Sequence, residues 1–356
     1  MKSNPRIALI DYLRLTASIC VCISHVLGAL RDTHHILSPL NEIFGNTIVF
    51  RVPLLFAISG FVVQCSIRNK PQTFSSVCNF LVRRWVWILI PLCLALSFTY
   101  CYEKLLWFGG FPHVPQRTPI DVISNILCVT SFTNTRRWID PTWSLAYELQ
   151  YYLITAVVWI SSFSRTTRPI TGLHVQIAVL TLLLISVVIH SEYQTEGLGM
   201  WHFRWFAVGM LAGMRFSHIK YAWVFRVSIL ILGIVSIIEG GVILAPTKLL
   251  LLVGILLFIE TDGLRSVDKL LRTSPILGTV SYLIYLLHWP IASHSGVLVQ
   301  FCRLLWLPED YWPMFAILFP IGVSVLIARP VYRLCDWVTQ LLAKKNRSGS
   351  RLVAEP

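Results

Sequence analysis

Two ionisable residues lie inside the first strongly apolar segment of the chain, and their spacing suits acid–base chemistry within a membrane. Arg14 and His25 interrupt the apolar run 7–27. Eleven residues at about 100° each make about three helical turns, so both side chains share one helix face, about 16 Å apart along the axis. Because charged groups are costly at membrane depth, such residues usually face a protein interior or a water-filled cavity. The helix presents a fixed cation near one end and a titratable imidazole, a common proton acceptor, farther in.

A carboxylate and a second histidine occupy similar apolar segments farther along the chain. Glu148 lies in the run 143–162, where a carboxylate needs a partner. It can orient a histidine and stabilise the imidazolium formed during proton transfer, or it can pair with an intramembrane Arg for structural reasons. His288 precedes Pro290, which removes a helix donor. His288 is interpreted either as a substrate contact or as a packed interfacial residue.

The composition indicates a polytopic membrane protein with an all-α fold. Of 356 residues, 55% are hydrophobic and only 13% are charged, and the mean hydropathy is +0.67. Soluble domains carry about 25% charged residues. A membrane helix needs about 20 apolar residues, so we expect a transmembrane helical bundle of about ten spans. The predicted spans are 7–29, 46–66, 85–106, 143–162, 173–191, 200–216, 222–240, 242–260, 276–298 and 312–334.

Topology explains the net charge of +13 better than nucleic-acid binding does. Lys and Arg concentrate in alternate loops, and ten spans then place both termini in the cytoplasm. Residues 1–342 are expected to form one membrane-embedded domain, and 343–356 a polar, disordered cytoplasmic tail. The short apolar run 121–133 is interpreted as re-entrant or interfacial, and the pattern Gly209–Gly213 predicts close helix packing. Nine cysteines show neither a disulfide framework nor metal-ligand spacing, so no metal is expected.

Five segments together resemble the acyltransferase 3 family, integral-membrane enzymes that O-acylate carbohydrates. They are Asp11–Leu15 followed by His25, Val52–Phe61, Phe80–Trp85 followed by Ile90–Pro91, Trp143–Tyr152 and Ser281–Pro290. Their order and spacing cover nearly the whole chain, which makes the combination specific. One departure is visible near the last span, where the family often has Glu-Arg-Pro and this chain has Ala328-Arg329-Pro330.

The resemblance implies an O-acyltransferase of the bacterial inner membrane that moves an acetyl group from cytoplasmic acetyl-CoA to a carbohydrate or lipid-linked glycan. Because a neutral hydroxyl is a poor nucleophile, His25 is the expected general base, with Glu148 orienting it; a covalent acyl-imidazole is the alternative. Arg14, Arg83 and Arg84 are the expected ligands of the coenzyme A phosphates. Each of these Arg residues is alternatively a topology determinant at the cytoplasmic surface.

The acceptor site is expected to include Trp143, Ser144 and His288, with membrane lipid around the bundle. Asp11 is expected to orient Arg14, since side chains three residues apart on a helix are neighbours. A competing interpretation is a transporter or permease that uses intramembrane Arg, His and Glu as a substrate pathway. The internal repeats and paired broken helices of many transporters are not visible in the sequence. A third interpretation is a non-catalytic scaffold for polysaccharide assembly, in which Arg14 and His25 do no chemistry.

Overall fold

The computed structural model of this chain describes most of the sequence, and the described part is helical. It covers residues 7–34, 51–108 apart from 69 and 72, 118–161, 173–188, 199–217, 222–260, and 267–352 apart from 270, 272, 273 and 275. No β-strand occurs in those residues. The predicted all-α class is therefore confirmed for the described part of the chain.

The helices overlap the predicted apolar runs, but the helix over the predicted span 85–106 begins earlier, at Phe74, and the last helix extends beyond residue 334. They are α1 (Ala8–His34), α2 (Arg51–Ile67), α3 (Phe74–Phe108), α4 (Pro119–Ile126), α5 (Thr130–Thr133), α6 (Trp143–Ser161), α7 (Leu173–Val188), α8 (Phe203–Phe216), α9 (Ala222–Glu260), α10 (Leu277–Ser293), α11 (Ser295–Leu304) and α12 (Trp312–Leu352). Short 3₁₀ turns at Asp140–Thr142, Gly199–His202 and Glu309–Tyr311 lead into α6, α8 and α12.

Among the residues that the structure describes, three helices are long and apolar enough to cross a membrane. The relevant stretches are Ala8–Asp32 in α1, Phe74–Leu106 in α3 and Trp312–Ala343 in α12. Shorter apolar stretches occur at Val52–Ile67, Val175–Val188 and Ala222–Ile238. These helices support a membrane protein, because about 20 helical residues span the hydrocarbon core. The number of ten spans and the cytoplasmic placement of the termini stay predictions.

Helix α9 turns back on itself, so that its two ends lie together. Arg226 Nη2 lies 3.0 Å from Glu260 Oε2. In a straight helix 34 residues would separate these positions by about 51 Å, so the backbone must reverse direction between them. Gly233 accordingly lies beside the side chain of Leu249. The two halves run side by side, as expected for the two predicted spans, although the helical assignment shows no break at Gly241.

Three other predicted segments can be compared with the observed helices. The predicted span 276–298 is divided, since α10 ends at Ser293 and α11 begins at Ser295. The run 121–133 forms the two short helices α4 and α5. Helix α12 continues to Leu352, into the predicted polar tail 343–356. The division into a membrane domain and a tail stays a prediction.

Helices α2 and α8 cross at very short range, and glycine makes the crossing possible. A Cβ atom added to Gly209 would overlap the carbonyl oxygen of Ala57, and one added to Gly60 would overlap that of Phe206. Small residues let helix backbones approach closely in membranes. The close packing predicted from Gly209–Gly213 is therefore confirmed.

The buried apolar residues form two clusters with a cavity at their boundary. One cluster draws mainly on α2, α6, α7, α8 and α9, and the other mainly on α1, α3, α10 and α12. Helix α1 packs along α10 and also contacts α2 and α12. The polar residues of the predicted site lie mostly along the boundary between the two clusters.

Candidate functional site

A cavity of about 470 Å³ lies where α1, α2, α3, α6 and α10 meet. Five of the eight predicted site residues line it, namely Arg14, Arg83, Arg84, Ser144 and Glu148. Further polar lining residues are Asp11, Ser18, Ser66, Lys70, Tyr152, Thr279, Ser281, Tyr282 and Tyr285. The resemblance thus selected residues that are distant in sequence and converge on one space.

The outer end of the cavity, defined by Arg14, Lys70, Arg83 and Arg84, is cationic. The Arg84 guanidinium lies 5.5 Å from the ring centre of Tyr152, and its Nη2 donates to Ser66 Oγ at 3.4 Å. Burial, then the positive charges of Arg83 and Arg84, lower the pKa of Lys70, which lies in the link between α2 and α3. Like charges held together in this way favour an anionic ligand.

The amino end of α10 adds a hydroxyl group to the outer end. Gly278 and Thr279 line the cavity, and Thr279 is buried. Its Oγ1 has no hydrogen-bond partner in the structure as described. A buried hydroxyl that lacks a partner is costly, and an anion in the cavity could satisfy it. Lys70 and Thr279 were not selected from the sequence. A signal for Lys70 was available in its closeness to the basic pair Arg83–Arg84.

Glu148 lies between the two ends and is held by hydroxyl groups. Ser59 Oγ and Tyr152 OH both donate to Glu148 Oε1. Ser59 Oγ and Tyr152 OH are themselves 3.1 Å apart. The carboxylate is therefore tied to α2 and to the next turn of its own helix.

The inner end of the cavity, defined by Ser18, Ser144 and Tyr285, is lined by hydroxyl groups. Ser144 Oγ lies 2.6 Å from Tyr285 OH, and each oxygen lies 3.0 Å from the carbonyl oxygen of Pro141. The 3₁₀ turn that precedes α6 thus fixes both hydroxyl groups. The sequence could have predicted Ser18 as a further cavity residue on α1, since it follows Arg14 by four residues on the predicted polar face.

Trp143, one residue before Ser144, contacts a group of aromatic side chains. Its ring lies 5.3 Å from that of His202, 5.5 Å from that of Tyr147 and 6.4 Å from that of Phe56. Phe56 lines the cavity, whereas Trp143 is outside the described lining. The structure therefore places Trp143 in an aromatic group behind the wall.

The two predicted histidines come together across α1 and α10. His25 Nδ1 lies 2.8 Å from His288 Nε2, and the rings are stacked with their centres 5.1 Å apart. His288 is fully buried, and its Nδ1 lies 3.0 Å from the carbonyl oxygen of Ile284. Trp289 meets the His25 ring edge-on at 5.5 Å. A sequence separation of 263 residues is closed by the packing of the two helices.

The hydrogen bonds assign the tautomers of this pair. A carbonyl oxygen can only accept, so His288 Nδ1 carries a proton. In neutral His288, Nε2 is then an acceptor, and the proton between the rings belongs to His25 Nδ1. The proton-free nitrogen of neutral His25 is consequently Nε2. This is the nitrogen that a general base requires.

The histidine pair lies next to the inner end of the cavity, outside its described lining. Ser18 precedes His25 by seven residues on the same helix face, about 10.5 Å along the axis. The ring of Tyr285 lies 6.1 Å from that of His288. His25 Nδ1 therefore contacts His288, on α10. A catalytic role for Glu148 stays a prediction.

The departure from the family pattern at Ala328 falls in a buried apolar position. Ala328 is fully buried within the cluster that includes Val331 and Cys335. A carboxylate there would need a partner, and Ala instead packs among apolar neighbours.

A model of a known protein family matches this chain. A family model described as an acyltransferase domain matches residues 7–328, nearly the whole chain. The match contains every residue of the cavity and of the histidine pair. No curated protein and no solved structure matches the chain.

Proposed function

Because this chain belongs to the acyltransferase 3 family, we propose that it is a multi-pass O-acyltransferase of the bacterial inner membrane that uses acetyl-CoA as its donor. Membership of the family supports acyl transfer as the reaction, and the apolar helices support a location in a membrane. The proposed acceptor is a hydroxyl group of a carbohydrate, such as O-antigen, exopolysaccharide or a lipo-oligosaccharide in polysaccharide biosynthesis. The resemblance of the five segments supports this acceptor class.

One observation carries the proposal: a single cavity joins a cationic outer end to an inner end beside a histidine. Coenzyme A has its phosphates at one end and its thioester at the other, separated by a long flexible arm. Arg14, Arg83 and Arg84 suit the phosphates, because guanidinium groups bind phosphate oxygens through paired donors. The thioester would then reach toward Ser18 and Tyr285, near His25.

The chemical step needs a base, and His25 supplies it. The acceptor hydroxyl attacks the thioester carbonyl while His25 Nε2 takes the hydroxyl proton. The carbon–sulfur bond then breaks, and the thiolate of coenzyme A takes a proton. General-base catalysis of this kind contributes about 10² to 10⁴-fold in rate. The hydroxyl groups at the inner end would hold the thioester in place.

Acetyl transfer in isolated membranes tests the proposal. Membranes from the source cells, with the natural copy replaced by each variant, would receive acetyl-CoA labelled in the acetyl group, and label in the glycan fraction would be measured. We expect His25→Ala to lower transfer by about 100-fold or more at unchanged protein level.

His294→Ala is the matched control for His25→Ala. His294 lies at the end of α10, and its Nδ1 bonds the carbonyl oxygen of Pro290, outside the described lining of the cavity. It should therefore keep wild-type transfer. Full transfer in His25→Ala would overturn the assignment of the base. Sugar uptake without covalent acetylation would instead support the transporter interpretation.

A further inference from the structure

The histidine pair is built so that one ring can receive a proton from the other. His288 accepts from His25 Nδ1 and donates to the carbonyl oxygen of Ile284 at the same time. That second bond fixes the orientation of the His288 ring, since its acceptor belongs to the backbone of the same helix. The ring is fully buried. His288 therefore has a fixed tautomer and a fixed acceptor nitrogen.

Buried apolar side chains surround His288. Leu287 and Ile291, neighbours on α10, and Val26, a neighbour of His25 on α1, are buried members of one apolar cluster. The ring of Trp289 covers an edge of His25. In an apolar setting, an ionised ring gains more from sharing its proton with a hydrogen-bonded neighbour than it would in water.

We propose that His288 is a positioning residue that also receives a proton, so that the base of this enzyme is a pair of histidines. This inference rests on the proposed function, because it concerns the proton removed during acyl transfer. It goes beyond the expected role of His288 as an acceptor-site residue.

The proposed step balances as follows. The acceptor oxygen forms its bond to the thioester carbon while its proton moves to His25 Nε2. The proton on His25 Nδ1 moves to His288 Nε2, and His288 becomes an imidazolium that still donates to Ile284. When the carbon–sulfur bond breaks, the thiolate takes the proton from His25 Nε2 while His288 returns its proton to His25 Nδ1, so His25 stays neutral. The pair then has its original tautomers again.

The number of protons in motion tests the pair directly. Initial rates of acetyl transfer would be measured in the same membranes, at saturating acetyl-CoA, across mixtures of H₂O and D₂O. Two protons moving in one transition state make the rate a curved function of the deuterium fraction, whereas one proton makes it linear. We expect a curve for the wild type. A linear dependence would overturn the proposal whatever the variants show.

His288→Gln separates positioning from proton transfer. Its amide oxygen can accept from His25 Nδ1 but cannot take up the proton at neutral pH. We expect kcat to fall about 10- to 100-fold, the KM for acetyl-CoA to stay within about twofold, and the dependence on deuterium to become linear. His288→Phe, which removes both properties, should lose more, while the control His294→Gln should behave as the wild type.

The outcomes distinguish this inference from the proposed function. Loss of transfer in His25→Ala together with wild-type kcat and a curved dependence in His288→Gln would overturn the histidine pair and leave the acyltransferase intact. Full transfer in both variants would overturn the proposed base as well. If His288→Gln fails to accumulate in the membrane, the wild-type curve still decides.

Discussion

The two ends of the cavity place their functional groups in opposite ways. At the outer end, cations on long side chains surround one space, and they come from α1, α3 and the link before α3. At the inner side, His25 and His288 are fixed by one hydrogen bond to each other and one to a backbone carbonyl. Cations on flexible side chains can adjust to an anionic ligand. If the histidine rings moved, they would lose the hydrogen bonds that fix their tautomers.

This difference predicts that the outer end mainly binds the donor and that the inner side mainly performs the chemical step. Several cations share the outer end, so the loss of one leaves the others in place. The histidine pair has a single geometry, so a change there should act on the chemical step. Substitutions at the outer end are therefore expected to change KM, and substitutions at the inner side are expected to change kcat.

The largest effect at the outer end is expected for Arg83→Gln combined with Arg84→Gln. Each bond to a charged group is worth about 1.5 to 3 kcal/mol, so the pair should raise the KM for acetyl-CoA by about 100-fold or more. At saturating acetyl-CoA, kcat should change by about twofold at most. Steady-state kinetics in membranes measure both constants.

A control with the same loss of charge checks this prediction. Arg329 and Arg333 are exposed residues on α12, outside the described lining of the cavity. Changing both to Gln should leave KM unaltered. An equal rise in KM in this control would show that general charge, not the cavity, attracts the donor. A fall in kcat alone in Arg83→Gln/Arg84→Gln would break the division between the two ends.

The sequence predicts the polar residues of the cavity well, because membrane burial makes polar groups conspicuous. Arg14 and Glu148 stand out in apolar runs, and both line the cavity. The direction in which a side chain points from its helix is harder to predict. Trp143 and Ser144 are neighbours, but successive helical residues point about 100° apart, so one packs behind the wall and the other lines the cavity.

Contacts between distant helices could not be predicted from the chain alone. His25 and His288 meet because α1 packs along α10, and no local pattern specifies that pairing. The reversal within α9 is different, because the two predicted spans 222–240 and 242–260 already implied a turn between them. The Gly209 crossing was predictable because a glycine in an apolar helix has a local meaning, which is close backbone approach.

Glu148 lies between the two ends, and a variant of it shows whether this residue affects donor binding or the chemical step. Glu148→Gln keeps an oxygen that accepts from Ser59 and Tyr152 but removes the negative charge. We expect kcat to fall about 10-fold with an unchanged KM for acetyl-CoA, because the negative charge of a carboxylate in the cavity would stabilise an imidazolium at its inner end. Kinetics of Glu148→Gln beside Ser59→Ala, which keeps the charge, measure this. A rise in KM would assign Glu148 to the outer end.

A smaller effect is expected at the amino end of α10. Thr279→Val removes the hydroxyl group but preserves the shape of the side chain. If that group bonds the donor, its loss costs about 1 kcal/mol, or about fivefold in KM for acetyl-CoA. Thr279→Ser keeps the hydroxyl and should keep the wild-type KM. Equal values for Thr279→Val and the wild type would remove Thr279 from the donor site.

The smallest effect concerns protons taken up when the donor binds. The pKa of Lys70 is lowered by burial and then by Arg83 and Arg84. Phosphates of a bound donor would raise it again, because an opposite charge favours the ammonium form. Affinity should therefore be constant below the lowered pKa and should fall as pH rises from that value toward the pKa of the complex. The loss is at most about tenfold per pH unit for one group.

Calorimetry of acetyl-CoA binding to the purified full chain can detect this proton directly. Titrations above about pH 7.5, where phosphate monoesters are fully ionised, would be repeated in buffers of different ionisation enthalpy. We expect uptake of a fraction of one proton in the wild type and none in Lys70→Arg, since Arg stays charged throughout. Equal uptake in both proteins would place the titrating group elsewhere. Proton uptake that disappears only in Lys70→Arg would show that the outer end responds to the charge of the donor through Lys70.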